Sequence, residues 1–136
     1  MNKKFFFDLD EIIALAIKKH KSKNFQDAKK LYIKILEKNP NNEDVNNNLG
    51  ILYNQLGEYK KAKSFYEKTL QLNPSNVDTI NNLGLLFQAL KNKEEAMECY
   101  KKAIRINPSY APPYFYFANT LKEIGEYEKA INYYKK

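Results

Sequence analysis

Asn-Pro recurs at Asn39-Pro40, Asn73-Pro74 and Asn107-Pro108, with 34 residues between successive prolines. A period of that length marks a repeat array, in which one unit cannot bury its apolar face alone and must stack on its neighbours. Other positions fall into the same register. Small residues recur at Ala16, Gly50, Gly84 and Ala118, and alanine at Ala28, Ala62, Ala96 and Ala130. Tyrosine recurs at Tyr32, Tyr66, Tyr100 and Tyr134, and a large apolar residue at Leu15, Leu49, Leu83 and Phe117.

Each unit reads as two helices. Residues near 43–56 and 59–71 carry apolar or small side chains at helical spacing, with Gly57 between them. Gly57 and Gly125 suit a left-handed helix end, and Asn24 and Asn92 are the expected residues for it in the other two units. Proline stops each second helix, because the residue before it is driven out of the α region. Asn41 or Asn42, Asn76 and Ser109 are then expected to cap the next first helix. At the N-terminus Asp8 can cap a helix with Glu11 three residues on, Phe7 and Ile12 forming a hydrophobic staple. The expected organisation is a lead-in and cap over 1–8 and a repeat domain over 9–136, with units 9–42, 43–76, 77–110 and an incomplete 111–136. Small residues such as Gly50 and Ala62 let antiparallel helices approach closely, and Leu49 and Tyr66 fill the space around them. Stacking the pairs gives an all-α, right-handed α-solenoid of about four units and eight helices. First helices line its inner groove and second helices form its outer wall.

Composition narrows the function classes. With 43% hydrophobic and 29% charged residues the chain is globular rather than disordered. Cys99 is the one cysteine and His20 the one histidine, so a disulfide framework, a Cys/His zinc site and H-E-x-x-H chemistry lack material. None of the glycines stands in a phosphate-cradling motif. The expectation is a non-enzyme with no cofactor and no metal. Net charge is +7, of which 9–42 carries +4 while 43–76 is neutral. Arg105 is the only arginine, and arginine is the residue suited to bidentate phosphate and base recognition. Lys29, Lys30, Lys60, Lys61, Lys101 and Lys102 therefore read as a solvated outer wall, and nucleic acid is not the expected partner. Asp8, Asp10 and Glu11 break the apolar run after Lys3-Lys4 too early for a signal peptide. The chain is expected to be cytoplasmic, with no membrane insertion. Cys99, near Glu94, Glu95 and Glu98, lacks the electropositive surroundings of a reactive thiol. His20, between Lys19 and Lys21, suits a cationic role at a helix end.

Two units carry a known signature. Leu49-Gly50 with Tyr53, Ala62 with Tyr66, and Pro74, then Leu83-Gly84 with Phe87, Ala96 with Tyr100, and Pro108, resemble the tetratricopeptide repeat family. The first unit departs with Ala16 and Lys19 at the glycine and aromatic positions. The fourth has Phe117-Ala118 and Leu121, and the tryptophan position holds Ile12, Asn46, Ile80 and Tyr114. The resemblance covers about residues 9–136. It implies a non-catalytic scaffold that holds an extended peptide or partner protein in the groove of first helices.

In that geometry the binding residues are Asp44, Asn47, Asn48 and Ile51, then Asp78, Asn81, Asn82 and Leu85, then Phe115, Tyr116 and Asn119 with Pro112. Asp10, Ile13, Ala14 and Ile17 extend the face into the first unit. Members that clamp a C-terminal carboxylate use Lys, Arg and Asn on successive first helices, a pattern absent here. Asp10, Asp44 and Asp78 suit either a basic peptide or the dipole at a helix start. Asn48 and Asn82 match the groove position of the asparagine ladder in arrays resembling those of the O-linked N-acetylglucosamine transferase family. An alternative is that the repeats form the substrate-recruiting arm of a larger bacterial transferase, of glycosyl-, sulfo- or methyltransferase type. The edge formed by Tyr114, Phe117 and Tyr133 is a candidate for self-association.

Overall fold

Between the Asn-Pro punctuation marks, the periodic segments form eight helices among the described residues, which are 8–136 of this computed structural model. They are α1 (Leu9–Lys21), α2 (Phe25–Lys38), α3 (Glu43–Gln55), α4 (Tyr59–Leu72), α5 (Val77–Ala89), α6 (Lys93–Ile106), α7 (Pro112–Glu123) and α8 (Tyr127–Tyr134). There is no strand among those residues. The Phe7 half of the expected staple lies outside them.

The turns inside the four pairs share one hydrogen-bond pattern. The N–H groups of Asn24, Glu58, Asn92 and Glu126 donate to the carbonyls of Lys19, Tyr53, Phe87 and Leu121 at 2.8–2.9 Å. One residue earlier, Lys23, Gly57, Lys91 and Gly125 donate to His20, Asn54, Gln88 and Lys122. This is the Schellman ending, which needs a left-handed residue at its penultimate position. Gly57 (φ 78) and Gly125 (φ 88) fill it as expected. In the other two turns the left-handed residues are Lys23 (φ 65) and Lys91 (φ 66), not Asn24 and Asn92. The asparagines stand one place later, as the first residues before α2 and α6.

Between pairs, Asn39 and Asn107 leave the helix in extended conformations ahead of their prolines (φ −138 and −137). Asn42 and Asn76 cap α3 and α5, accepting from the N–H of Val45 and Thr79 at 3.0 Å. Ser109 does not cap α7: its N–H and hydroxyl bond Asn107 Oδ1, and the helix starts after Ala111 with Pro112. Proline sets the helical φ there and lacks the N–H that a cap would satisfy. Asp8 precedes α1 without a side-chain cap; its carbonyl accepts from Glu11 and Ile12 instead. The tryptophan position does further work on the loops. Asn46 Nδ2 donates to Pro40 O at 3.0 Å, and the Tyr114 hydroxyl donates to Pro108 O at 2.6 Å, each six residues back.

The chain divides into two compact units, one ending at Phe65 and one beginning at Tyr66, the division falling within α4. In the first, α1 packs on α2 and α2 on α3, and Tyr53 stacks on Phe65 with centroids 5.5 Å apart. Ala16, Ala28, Tyr32 and Leu49 are fully buried there. In the second, α5 packs on α6, α6 on α7 and α7 on α8, with Ala96, Tyr100, Phe117, Ala118, Leu121 and Ala130 as one cluster. Full burial of a leucine-sized side chain is worth about 1.5–3 kcal/mol; the alanine column and Tyr32, Tyr66 and Tyr100 are buried, while Tyr134 is 42% exposed. Leu15 leaves its column: it is 44% exposed, where Leu49 is 0% and Phe117 4%. No described helix precedes α1 to cover that face.

Candidate functional site

The first unit holds a pocket of about 340 Å³ on the face where α1 and α3 meet the start of α2. Ile17, Ile51 and Phe25 give it apolar walls, and Asn48, Gln55 and His20 give it polar ones. Lys21 and Lys23 stand at its edge, both exposed. His20 fixes one wall. With Nε2 protonated, its ring donates to Gln55 Oε1 at 2.6 Å and accepts at Nδ1 from the Tyr32 hydroxyl at 3.1 Å. Phe25 meets the same ring edge-on, with centroids 5.9 Å apart. His20 is therefore a bridging group in the wall, held at both ring nitrogens. Burial pushes the Tyr32 hydroxyl up to about 12, keeping it a neutral donor.

The second unit carries a pocket of about 600 Å³ lined by Leu85, Gln88, Ala89, Lys91, Lys93 and Glu123. Leu85, Gln88 and Lys91 stand two periods after Ile17, His20 and Lys23, so the two pockets occupy one register. The tyrosine rule repeats as well: Tyr100 donates to Gln88 Oε1 at 2.7 Å, as Tyr32 meets His20. Lys93 pairs with Glu123 at 3.6 Å across the mouth. Beyond this pocket, Phe115 is 55% exposed and packs edge-on against Tyr116 and Tyr134. The Tyr134 hydroxyl donates to Asn119 Oδ1, which holds the amide in one orientation.

The structure places the expected residues unevenly. Asn48 and Ile51 line the first pocket and Leu85 the second. Asn47, Asn82, Tyr116 and Asn119 are half-buried, and Phe115 is exposed. Asp44 and Asp78 sit exposed in the first turns of α3 and α5, where the helix dipole favours carboxylates. Asp78 also accepts from the Tyr110 hydroxyl at 2.5 Å. Burial and that carboxylate together push the Tyr110 hydroxyl well above its ordinary range. Asn81 is only 4% exposed, and its Oδ1 is buried without a hydrogen-bond partner among the described residues. His20, Gln55, Gln88 and the left-handed lysines were not expected at the site. Their signal was the register itself, since Lys23 and Lys91 align with Gly57 and Gly125.

Burial raises the Cys99 thiol to about 11, with Glu95 and Glu98 adding to the shift and Lys102 opposing it. Among the described residues no group of three His, Cys, Asp or Glu side chains could hold a metal ion. No described helix is long and apolar enough to cross a membrane.

No curated protein matches the sequence. A tetratricopeptide repeat family profile matches residues 44–76 and 77–110, and a second tetratricopeptide profile matches 99–132. Among solved structures, PilF of Pseudomonas aeruginosa is 27% identical with a TM-score of 0.85, covering 94% of this chain and 59% of that one. A MamA structure from MSR-1 is 25% identical with a TM-score of 0.74, covering 95% of this chain and 74% of that one. MamA of Desulfovibrio magneticus shares the fold at 18% identity and a TM-score of 0.82, covering 94% and 72%. The chain thus spans somewhat over half of the PilF chain. Its fold is the all-α repeat solenoid, a class built for protein interaction. Recurrent prolines, small-residue columns, Schellman turns and profile matches agree, and the chain belongs to the tetratricopeptide repeat family.

Proposed function

We propose that the protein is a non-catalytic scaffold that holds an extended peptide, or an extended segment of a partner protein, on the face of its first helices. Asn48 and Asn82, in one register of α3 and α5, supply amides that each offer a donor and an acceptor to peptide groups. Ile51 and Leu85, three residues further along each helix, supply the apolar contacts beside them. The observation that carries this reading is the first pocket, where Asn48, Ile51 and Ile17 line one cavity on one face. The acidic first turns of α3 and α5 serve their helix dipoles, so the grip is on backbone amides rather than on a basic sequence. Of the edge expected for self-association, Phe117 is buried against Tyr133, and Tyr114 and Tyr133 are half-buried, so any such surface falls to the exposed Ile124, Tyr127 and Ile131 of the last helix pair.

The test is a display selection of peptides against the full chain, followed by affinity measurement. Each hydrogen bond lost costs about 0.5–1.5 kcal/mol, so the Asn48→Ala, Asn82→Ala double variant is expected to bind about tenfold more weakly. Its helix content should hold or rise, because alanine is the better helix former. Unchanged affinity in the folded double variant overturns the reading.

A further inference from the structure

Both non-glycine residues with positive φ among those described, Lys23 and Lys91, line a pocket, and the two pockets occupy the same register. A Cβ is disfavoured in the left-handed conformation, and the other two turns use glycine there. Lysine therefore stands at these positions against the local backbone preference, and such outliers gather where a side chain is needed for function. Neither ammonium pairs with a carboxylate among the described residues; Glu123 pairs with Lys93 instead. The first pocket has no carboxylate in its lining, and Lys21 adds a second cation. Its walls Ile17 and Ile51 are apolar, as are Leu85 and Ala89 in the second.

We infer that each pocket receives an apolar side chain of an extended acidic peptide, whose neighbouring Asp or Glu carboxylate meets Lys23 or Lys91. This deepens the peptide-scaffold reading and rests on it. Side-chain carboxylates fit better than a chain terminus. The cations are lysines on exposed turns, mobile point charges, with no arginine fork in either lining to grip a terminal carboxylate in two-point fashion. Apolar walls with an unpaired lysine at the edge, Glu123 of the second pocket being taken up by Lys93, ask for a segment in which leucine-like and acidic residues alternate.

The experiment uses fluorescein-labelled, amide-capped peptides of about ten residues and the full chain, read by fluorescence anisotropy. One peptide carries Asp-Leu-Glu-Leu-Asp, a second the neutral Asn-Leu-Gln-Leu-Asn, and a third is the neutral peptide with a free C-terminal carboxylate. The acidic peptide is expected to bind about tenfold more tightly than the neutral one, and less so as salt rises. The Lys23→Gly, Lys91→Gly variant relieves the backbone and removes both charges. Its melting temperature should rise while its affinity for the acidic peptide falls to about the neutral level, a fivefold to tenfold loss. Lys23→Arg with Lys91→Arg should keep the affinity. A purely structural role for the lysines would raise the melting temperature and leave binding unchanged, which overturns the inference. So does equal affinity for acidic and neutral peptides, no binding of the acidic peptide, or preference for the free terminus. If the neutral peptide binds equally well and Asn48→Ala with Asn82→Ala still weakens it, the scaffold reading stands and the acidic pocket alone fails.

Discussion

Gly84 lies against the ring of Tyr100 so closely that a Cβ at position 84 would stand 2.6 Å from Cε1. The ring cannot swing aside, because Tyr100 is fully buried and its hydroxyl is held by Gln88 at 2.7 Å. Overpacking of this kind costs about 1–3 kcal/mol, partly offset by the better helix propensity of alanine, about 1 kcal/mol. Gly84→Ala should therefore lower the melting temperature. An unchanged or higher melting temperature would mean that α5 and α6 do not meet at this closeness.

The His20 bridge makes a sharper comparison. His20→Leu leaves the buried Tyr32 hydroxyl without its partner, and an orphaned buried group costs about 1–3 kcal/mol. His20→Gln copies the arrangement at Gln88 and should cost far less. Urea denaturation of the two variants checks this; equal midpoints would remove the bridge from the account.

Asn81 reverses the usual expectation for a buried position. Its Oδ1 has no partner among the described residues, so replacing the amide with an apolar side chain of the same branched shape removes a desolvation penalty of about 1–3 kcal/mol. Asn81→Leu is expected to raise stability in a thermal melt. A loss of stability would show that this oxygen is hydrogen-bonded in solution, by water or by the neighbouring helices.

Alkaline pH tests the tyrosine column. The Tyr32 hydroxyl is raised from 10.0 to about 12 by burial, so the unfolded chain loses this proton before the folded one does. Its stabilising contribution is complete below pH 10 and is lost progressively between 10 and about 12. Tyr66 and Tyr100 are shifted in the same direction by the same cause. Melting temperatures across that interval should fall steadily, and a flat profile would contradict burial of these rings. Tyr32→Phe should flatten part of the slope.

How much of this was legible in the sequence depended on the period. The columns that repeat in all units, such as Ala28, Ala62, Ala96 and Ala130, read directly as core because every unit faces the same packing problem. The left-handed lysines were missed because residue preference pointed to Asn24 and Asn92, whereas alignment with Gly57 and Gly125 points to Lys23 and Lys91. Ser109 looked like a cap, but two prolines at 112 and 113 set the start of α7 without one. Of the site, Asn48, Ile51 and Leu85 were readable from helical register. Burial of Asn81 was not, because Asn47 and Asn81 share a register and only tertiary packing separates their environments. The pockets themselves depend on side-chain volumes at the turns, where Phe25 and Lys93 replace each other in one register.

Backbone amide shift mapping of the isotope-labelled full chain, titrated with the tightest peptide from a display selection, tests the scaffold reading most directly. Perturbations should concentrate on the first helices, at and around Asn48, Ile51, Asn82 and Leu85. Perturbations confined to α2, α4 and α6, with those four residues unmoved, would contradict it.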